Sequence, residues 1–248
     1  MAVRGPDYAA SPAPVREDIV QAHRRVWERM ARPGTWWTGA ERVAMAAEAR
    51  HATACALCRE RKRALSPYGA PGAHDTLGVL PSNVVDVVHR IRTDPGRLTR
   101  AWHEGVMASG LADAQYVEIV GVVITVVGAD TFARAVGAPP APLPEPVTGE
   151  PSRRRPDGAT DQGAWVPMIA PEDASGPEAD LYGEARFVPN IRRALSLVPA
   201  EARAFGDLGS VHYFAIDDMM DLTRRRAITR PQIELLAARV SALNQCFY

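Results

Sequence analysis

The chain has 248 residues, with 29 Lys and Arg against 29 Asp and Glu, so its formal net charge is zero. That balance argues against a protein that grips nucleic acid mainly through phosphates, and three cysteines are too few for a disulfide scaffold. No stretch reads as the ~20 uncharged apolar residues that cross a bilayer, and the first residues lack the apolar core of a secretory signal. The expected setting is therefore a reducing cytoplasm, with neither nucleic acid nor membrane as partner.

Aromatic residues make up 6% and β-branched runs are scarce, so an all-α fold is expected. Residues 1–14 are rich in Pro, Ala and Ser and read as a disordered tail. Val15–Met30 is the first predicted helix, stopped by Pro33-Gly34. Thr38 then caps a single predicted helix from Gly39 to Ala64. Ser82–Arg92 ends before Asp94-Pro95, and Arg97–Ser109 ends at Gly110. Asp113 is placed as the cap of the apolar run Tyr116–Val136, which stops at Gly137. Pro139 to Pro177 is a proline-rich connector, in which Trp165–Ile169 is apolar enough to strap across a helical unit. Its Ser152-Arg153-Arg154-Arg155 cluster reads as a solvated turn or a set of salt bridges. Asn190–Leu197, Pro199–Arg225 (with a break near Gly206–Gly209) and Thr229–Tyr248 complete the predicted helices. Trp36-Trp37 is expected as a hydrophobic anchor.

An internal similarity divides the chain. Residues 112–132 align without gaps on 228–248, pairing Asp113 with Thr229, Glu118 with Glu234, Thr125 with Ser241, Asp130 with Cys246 and Phe132 with Tyr248. Val79-Leu80-Pro81 likewise resembles Phe187-Val188-Pro189. A duplication of helical modules accounts for this, and the expected units are a helical extension (15–74), a first module (75–140), a connector (141–179) and a second module (180–248).

In the second copy Glu234 precedes Cys246 by twelve residues, with Ser241, Ala242 and Asn244 between them. This pattern resembles the alkyl hydroperoxidase D and carboxymuconolactone decarboxylase-like superfamily, whose motif has a helical Glu, a Cys-x-x-Cys pair twelve residues on, and a His four residues after the second Cys. The resemblance covers about a quarter of the chain well, and half if the repeat is real. It implies a thiol- or selenol-dependent peroxidase-like oxidoreductase that reduces a hydroperoxide, is recharged by a dithiol reductant, and assembles as a homo-oligomer. Cys246 and Glu234 are then the catalytic residues, and no cofactor or metal is implied. The sequence departs from the motif because it ends at Tyr248, where the second redox residue would follow. A selenocysteine codon read as a stop, a shortened chain and a degenerate relative are the alternatives. In the first copy Glu118 persists but Asp130 replaces the Cys, so that copy is expected to be catalytically silent. A non-catalytic helical oligomerisation or partner-binding protein with a relic motif, and a carboxymuconolactone decarboxylase-like enzyme, are the other functional readings.

A thiolate attacks a peroxide only if its proton is easily lost, and a carboxylate or imidazole must move protons. Along one straight helix Glu234 and Cys246 would be about 18 Å apart, so a break or a neighbouring helix is needed to join them. The other pair, Cys55-x-x-Cys58, is expected on a helix, either as a secondary redox pair or as two small core residues. Glu41 and Glu48 do not meet the superfamily spacing to it. His51 sits four residues before Cys55, and Arg59, Arg61, Lys62 and Arg63 could favour a thiolate. A four-ligand zinc site would need two more ligands, and neither a second Cys pair nor a His-x-His occurs, so zinc is not expected. His89, His103 and His212 read as surface or satisfied histidines.

Overall fold

A computed structural model describes residues 5–185, 188–215, 218–219, 221–244 and 246; Phe187 and Tyr248 of the repeat lie outside them. The fold is all-α. The helices are α1 (Glu17–Ala31), α2 (Gly39–His51), α3 (Ala56–Arg63), α4 (Ser82–Thr93), α5 (Arg100–Ala108), α6 (Asp113–Ala135), α7 (Asn190–Arg193), α8 (Pro199–His212) and α9 (Arg230–Leu243), with one short antiparallel pair, β1 (Ala159–Thr160) and β2 (Met168–Ile169).

Helix α6 is the centre of the molecule. By length and composition it could cross a bilayer, contrary to the reading from sequence, yet α1, α2, α4 and α8 pack around it. Its Val117, Ile119, Val122, Val123 and Val126 are buried with Trp27, Met30, Met45, Val84, Val87 and Leu197. Helices α1 and α2 belong to the expected extension and α4 and α6 to the expected first module, so a boundary at 74/75 runs through one shared core. Trp37 is buried in that core and Trp36 packs against it.

Three charged side chains, Arg42, Glu118 and Glu201, are buried at α6, and the half-buried Arg29 joins them. Arg42 on α2 pairs with Glu118 on α6 and, at 2.8 Å, with Glu201 on α8; Arg29 on α1 also pairs with Glu201. Glu118 further accepts the backbone N–H of Trp36 at 2.7 Å. Two glycines make room for these groups: a Cβ on Gly34 would overlap Glu118, and one on Gly121 would overlap Glu201.

Residues 5–14 of the expected tail are held. Tyr8 is buried, its hydroxyl meets His23 Nδ1 at 2.5 Å, and Ser11 Oγ donates to the carbonyl of Val136. His23 Nε2 meets His212 Nε2 at 2.6 Å, and Phe132 packs against both rings. Burial, and then the neighbouring His212, hold the His23 imidazole down to about 4. His212 is lowered as well, by burial and then by Arg16. An unfolded histidine titrates near ~6.5, so between there and about 4 the unfolded chain binds protons that the folded chain does not. Stability should therefore rise with pH through that window and be lost as pH falls through it. The expected loss from His23 is on the order of 2–3 kcal/mol at the acid end. Urea unfolding across the window measures it, and His23→Gln should flatten most of the slope.

The connector is also held. Trp27 Nε1 donates to the Pro142 carbonyl, and Val147 N–H to that of Ala31. The arginine cluster is a set of ion pairs: Arg154 with Glu178 and Arg155 with Asp113, both bidentate. Met168 and Ile169 are buried, and Ile169 N–H donates to Ser196 Oγ.

The two halves of the sequence repeat sit in different surroundings. Helix α6 is buried, whereas Leu235, Leu236, Val240 and Leu243 of α9 are exposed. Their starts also fail to coincide. Ala112 is the N-cap of α6, with Gln115 bonding back to its N–H, so Asp113 is the first helical residue; Thr229, its partner in the alignment, is itself the N-cap of α9. Helix α8 runs through Gly206 and Gly209 and ends at His212, where the sequence predicts a helix to Arg225.

Candidate functional site

The helix predicted over 39–64 is interrupted after His51. A single 3₁₀ turn, Ala52–Ala54, follows α2, and Cys55 is extended, with φ −62° and ψ 127°, before α3 begins at Ala56. The break separates His51 from Cys55, ending the one-turn relation expected for them. It places Cys55 at the cap of α3 and Cys58 in its first turn, where unpaired backbone N–H groups and the helix dipole favour a negative sulfur. The Asp75 carboxylate accepts the N–H of Ala56 at 2.7 Å, which ties the loop before α4 to the start of α3.

That loop carries His74 to the thiols. His74 Nδ1 lies 3.6 Å from Cys55 Sγ and 3.4 Å from Cys58 Sγ. From the inner face of α4, His89 Nδ1 comes within 3.3 Å of Cys58 Sγ. The two sulfurs and two Nδ1 atoms all lie within 4.8 Å of one another. Cys55, Cys58 and His89 are buried, and the His74 side chain is only 8% exposed.

Each imidazole is anchored at its far nitrogen by a carboxylate. His89 Nε2 is 2.8 Å from Glu48 Oε1 on α2, and Glu48 Oε2 accepts from Thr76 Oγ1 and the N–H of Leu77. His74 Nε2 is 3.0 Å from Asp86 Oδ1, and Asp86 Oδ2 accepts from Trp102 Nε1 at 2.9 Å. Arg61 Nη1 sits 3.3 Å from Asp86.

The electrostatics separate the two histidines. Burial opposes charge on His74, but hydrogen bonds with Asp86 and with both sulfurs outweigh it and raise the imidazole to about 10. Asp86 is held at about 2, its burial outweighed by the bonds from His74 and Trp102. Burial lowers His89, and the charge on His74 adds to it, against the pull of Glu48. Cys55 lies below the usual thiol value: burial raises it, but the Cys58 backbone N–H and His74 outweigh that. The centre thus sets a charged imidazole beside both sulfurs and a neutral one on Cys58.

No family model, curated protein or solved structure matches the chain.

The C-terminal motif is placed elsewhere. Glu234 accepts from Tyr213 Oη and Arg230 Nε, each at 2.5 Å. Helix α9 is unbroken from Glu234 to Leu243, about 13 Å of helix axis, so no break there brings the carboxylate back toward Cys246. Cys246 is exposed, and its N–H bonds the Ser241 carbonyl. Glu118 is engaged by Arg42 and Trp36, and Asp130 by Arg50 at 2.8 Å. Glu41 closes a capping box with Thr38.

Two of the four sulfur and nitrogen donors were visible as a Cys-x-x-Cys pair; the histidines were not. His89 was read as satisfied or superficial, and it is fully buried between Cys58 and Glu48. His74 and Asp86 carried no expectation, and Glu48 was set aside on spacing. The two further donor atoms that a four-ligand site would need do lie beside the thiols, as Nδ1 of His74 and of His89. One signal was present: fifteen residues separate Cys58 from His74, within the range common between the pairs of a zinc finger, although the second histidine follows much later than usual. His103 is also buried, against Tyr116 and Trp165.

Two clefts flank the centre, and Asp86 lines both. One, of about 400 Å³, opens beside His74 between Arg61, Gly72 and Leu80. The other, of about 640 Å³, is lined by Tyr68, Trp102, Val106 and the glycine edge of α5.

Proposed function

We propose that the chain is a thiol-dependent, peroxidase-like oxidoreductase whose working centre is Cys55/Cys58. The observation that carries this reading is the chain of contacts Cys58–His89–Glu48 beside a second thiol. A thiol bonded to a neutral imidazole, itself oriented by a carboxylate, is the arrangement that generates a thiolate nucleophile. Cys58 passes its proton to His89 Nδ1 and attacks the terminal peroxide oxygen. The S–O bond forms, the O–O bond breaks, and the departing alkoxide takes the proton from His89 to leave as the alcohol. Cys55 thiolate then attacks the sulfenic sulfur, and hydroxide leaves as water after taking a proton, giving the Cys55–Cys58 disulfide. An external dithiol reduces that disulfide by exchange and becomes a disulfide itself.

The relationship to the alkyl hydroperoxidase D-like superfamily belongs to this proposal. Its chemistry uses the same kinds of group, a carboxylate, an imidazole and a Cys-x-x-Cys pair, here drawn from α2, α3 and α4 in place of the C-terminal motif. The largely apolar 640 Å³ cleft suits the organic part of an alkyl hydroperoxide. After one equivalent of peroxide, intact mass should fall by two protons, and peptide mapping should find the link between Cys55 and Cys58. Two reduced thiols there, under conditions that oxidise a control dithiol, would reject the proposal.

A further inference from the structure

We infer that Cys55, Cys58, His74 and His89 form a binding site for one tetrahedral divalent cation of the zinc class. This inference stands on the arrangement of donors and does not rest on the redox reading.

A zinc ion with bonds of about 2.3 Å to sulfur and 2.0–2.1 Å to nitrogen sets sulfur and nitrogen about 3.5 Å apart across a tetrahedral edge. The three close sulfur–nitrogen approaches here are 3.3, 3.4 and 3.6 Å. Both imidazoles turn the same atom, Nδ1, toward the sulfurs, and both have Nε2 fixed on a carboxylate. A carboxylate on the far nitrogen is the usual partner of a metal-bound histidine, because it sets the tautomer and makes the ligating nitrogen more basic. A cation that displaces the His74 proton leaves two thiolates and two neutral imidazoles, which balance a divalent charge as a buried site requires. Soft sulfur with imidazole selects zinc-like ions over calcium or magnesium, which take oxygen.

The donors also come from a frame that holds them. Cys55 and Cys58 are fixed by the start of α3, His89 by α4, and His74 by a loop that Asp75 and Asp86 tie down at each side. Four protein donors around a buried point leave no open coordination position, the mark of a structural rather than a catalytic zinc. With the cation bound both sulfurs are ligands, so Cys58 does not attack peroxide. The redox proposal then describes the metal-free form of the same side chains.

The test uses the full chain, reduced, stripped with a chelator and kept anaerobic. Titration with Co²⁺ should give the intense visible bands of a tetrahedral ion with sulfur charge transfer, saturating at one equivalent, and Zn²⁺ should abolish them. Cys58→Ser or His89→Gln should remove the tetrahedral spectrum, and Cys246→Ser should leave it unchanged. Asp86→Asn keeps all four ligands and should weaken binding ~10–100-fold. A measurement free of variants guards against misfolding: zinc should block alkylation of Cys55 and Cys58, but not of Cys246, as read by mass spectrometry. A folded, reduced chain that takes up no cobalt, gives only an octahedral spectrum, or alkylates equally at all three cysteines with zinc present would overturn the inference. Peroxide turnover is not a readout here, so either proposal can fail alone.

Discussion

Cys58→Ser should abolish hydroperoxide turnover by the metal-free chain supplied with a dithiol, whereas Cys246→Ser should leave it unchanged. Cys58 alone touches both imidazoles, so its loss removes the nucleophile together with the proton path. Cys55→Ser should permit one turnover and then stall at the sulfenic acid, because nothing else at the centre can expel the oxygen. Glu48→Gln tests the relay apart from the sulfur. Gln keeps the size and can still bond His89, but it cannot stabilise an imidazolium on the buried His89. Its expected loss is ~10²–10⁴-fold, the range for a group that governs general acid–base transfer. Steady-state consumption of an alkyl hydroperoxide, with far-UV circular dichroism as the check on folding, measures all four variants. Full activity in Cys58→Ser, or equal loss in Cys246→Ser, would place the chemistry at the other end of the chain.

Arg42→Met should destabilise the protein by ~3–5 kcal/mol, the cost of leaving buried charge without its partner. Among the described residues Arg42 is the one cation that reaches both Glu118 and Glu201, and all three side chains are essentially inaccessible. Without it Glu118 keeps only the N–H of Trp36, while Glu201 retains Arg29. Burial already pushes the Glu118 carboxyl above its ordinary value, against the pull of Arg42. Loss of the guanidinium should drive it to take up a proton, so the penalty should grow with pH above the ordinary carboxylate range. Glu118→Gln should cost less, since a neutral amide replaces the charge and can still accept from Trp36. Urea unfolding gives both values. A change below about 1 kcal/mol for Arg42→Met would be that of a solvated surface pair and would contradict the buried network.

The zinc and peroxide proposals share one local fact, the break in the helix at residues 52–54. Continuous helix from Gly39 to Ala64 would have put Cys55 and Cys58 one turn apart on a helix wall, with their amides satisfied. The break turns them into the start of a new helix, open to a loop and to α4. Ala-rich sequence gives no warning of it, since Ala52-Thr53-Ala54 carries no Gly or Pro, and the interrupted turn is the stretch that packs against α4.

What the sequence determined by itself was set by short-range pattern. The all-α class, the first helix with its stop before Pro33-Gly34, the Thr38 cap and the stop at Asp94-Pro95 all follow from spacing and cap chemistry within a few residues. The same kind of pattern made the C-terminal segment conspicuous, because a motif is read along the chain. Tertiary structure alone decided which groups meet. Glu48, Cys58, His74, Asp86 and His89 come from three helices and a loop, at separations with no fixed period, and α9, which carries the legible motif, lies at the surface. Helical periodicity records which side of a helix faces inward. It does not record which buried neighbour a polar atom will find there, and that choice depends on how α2 and α3 pack against α4.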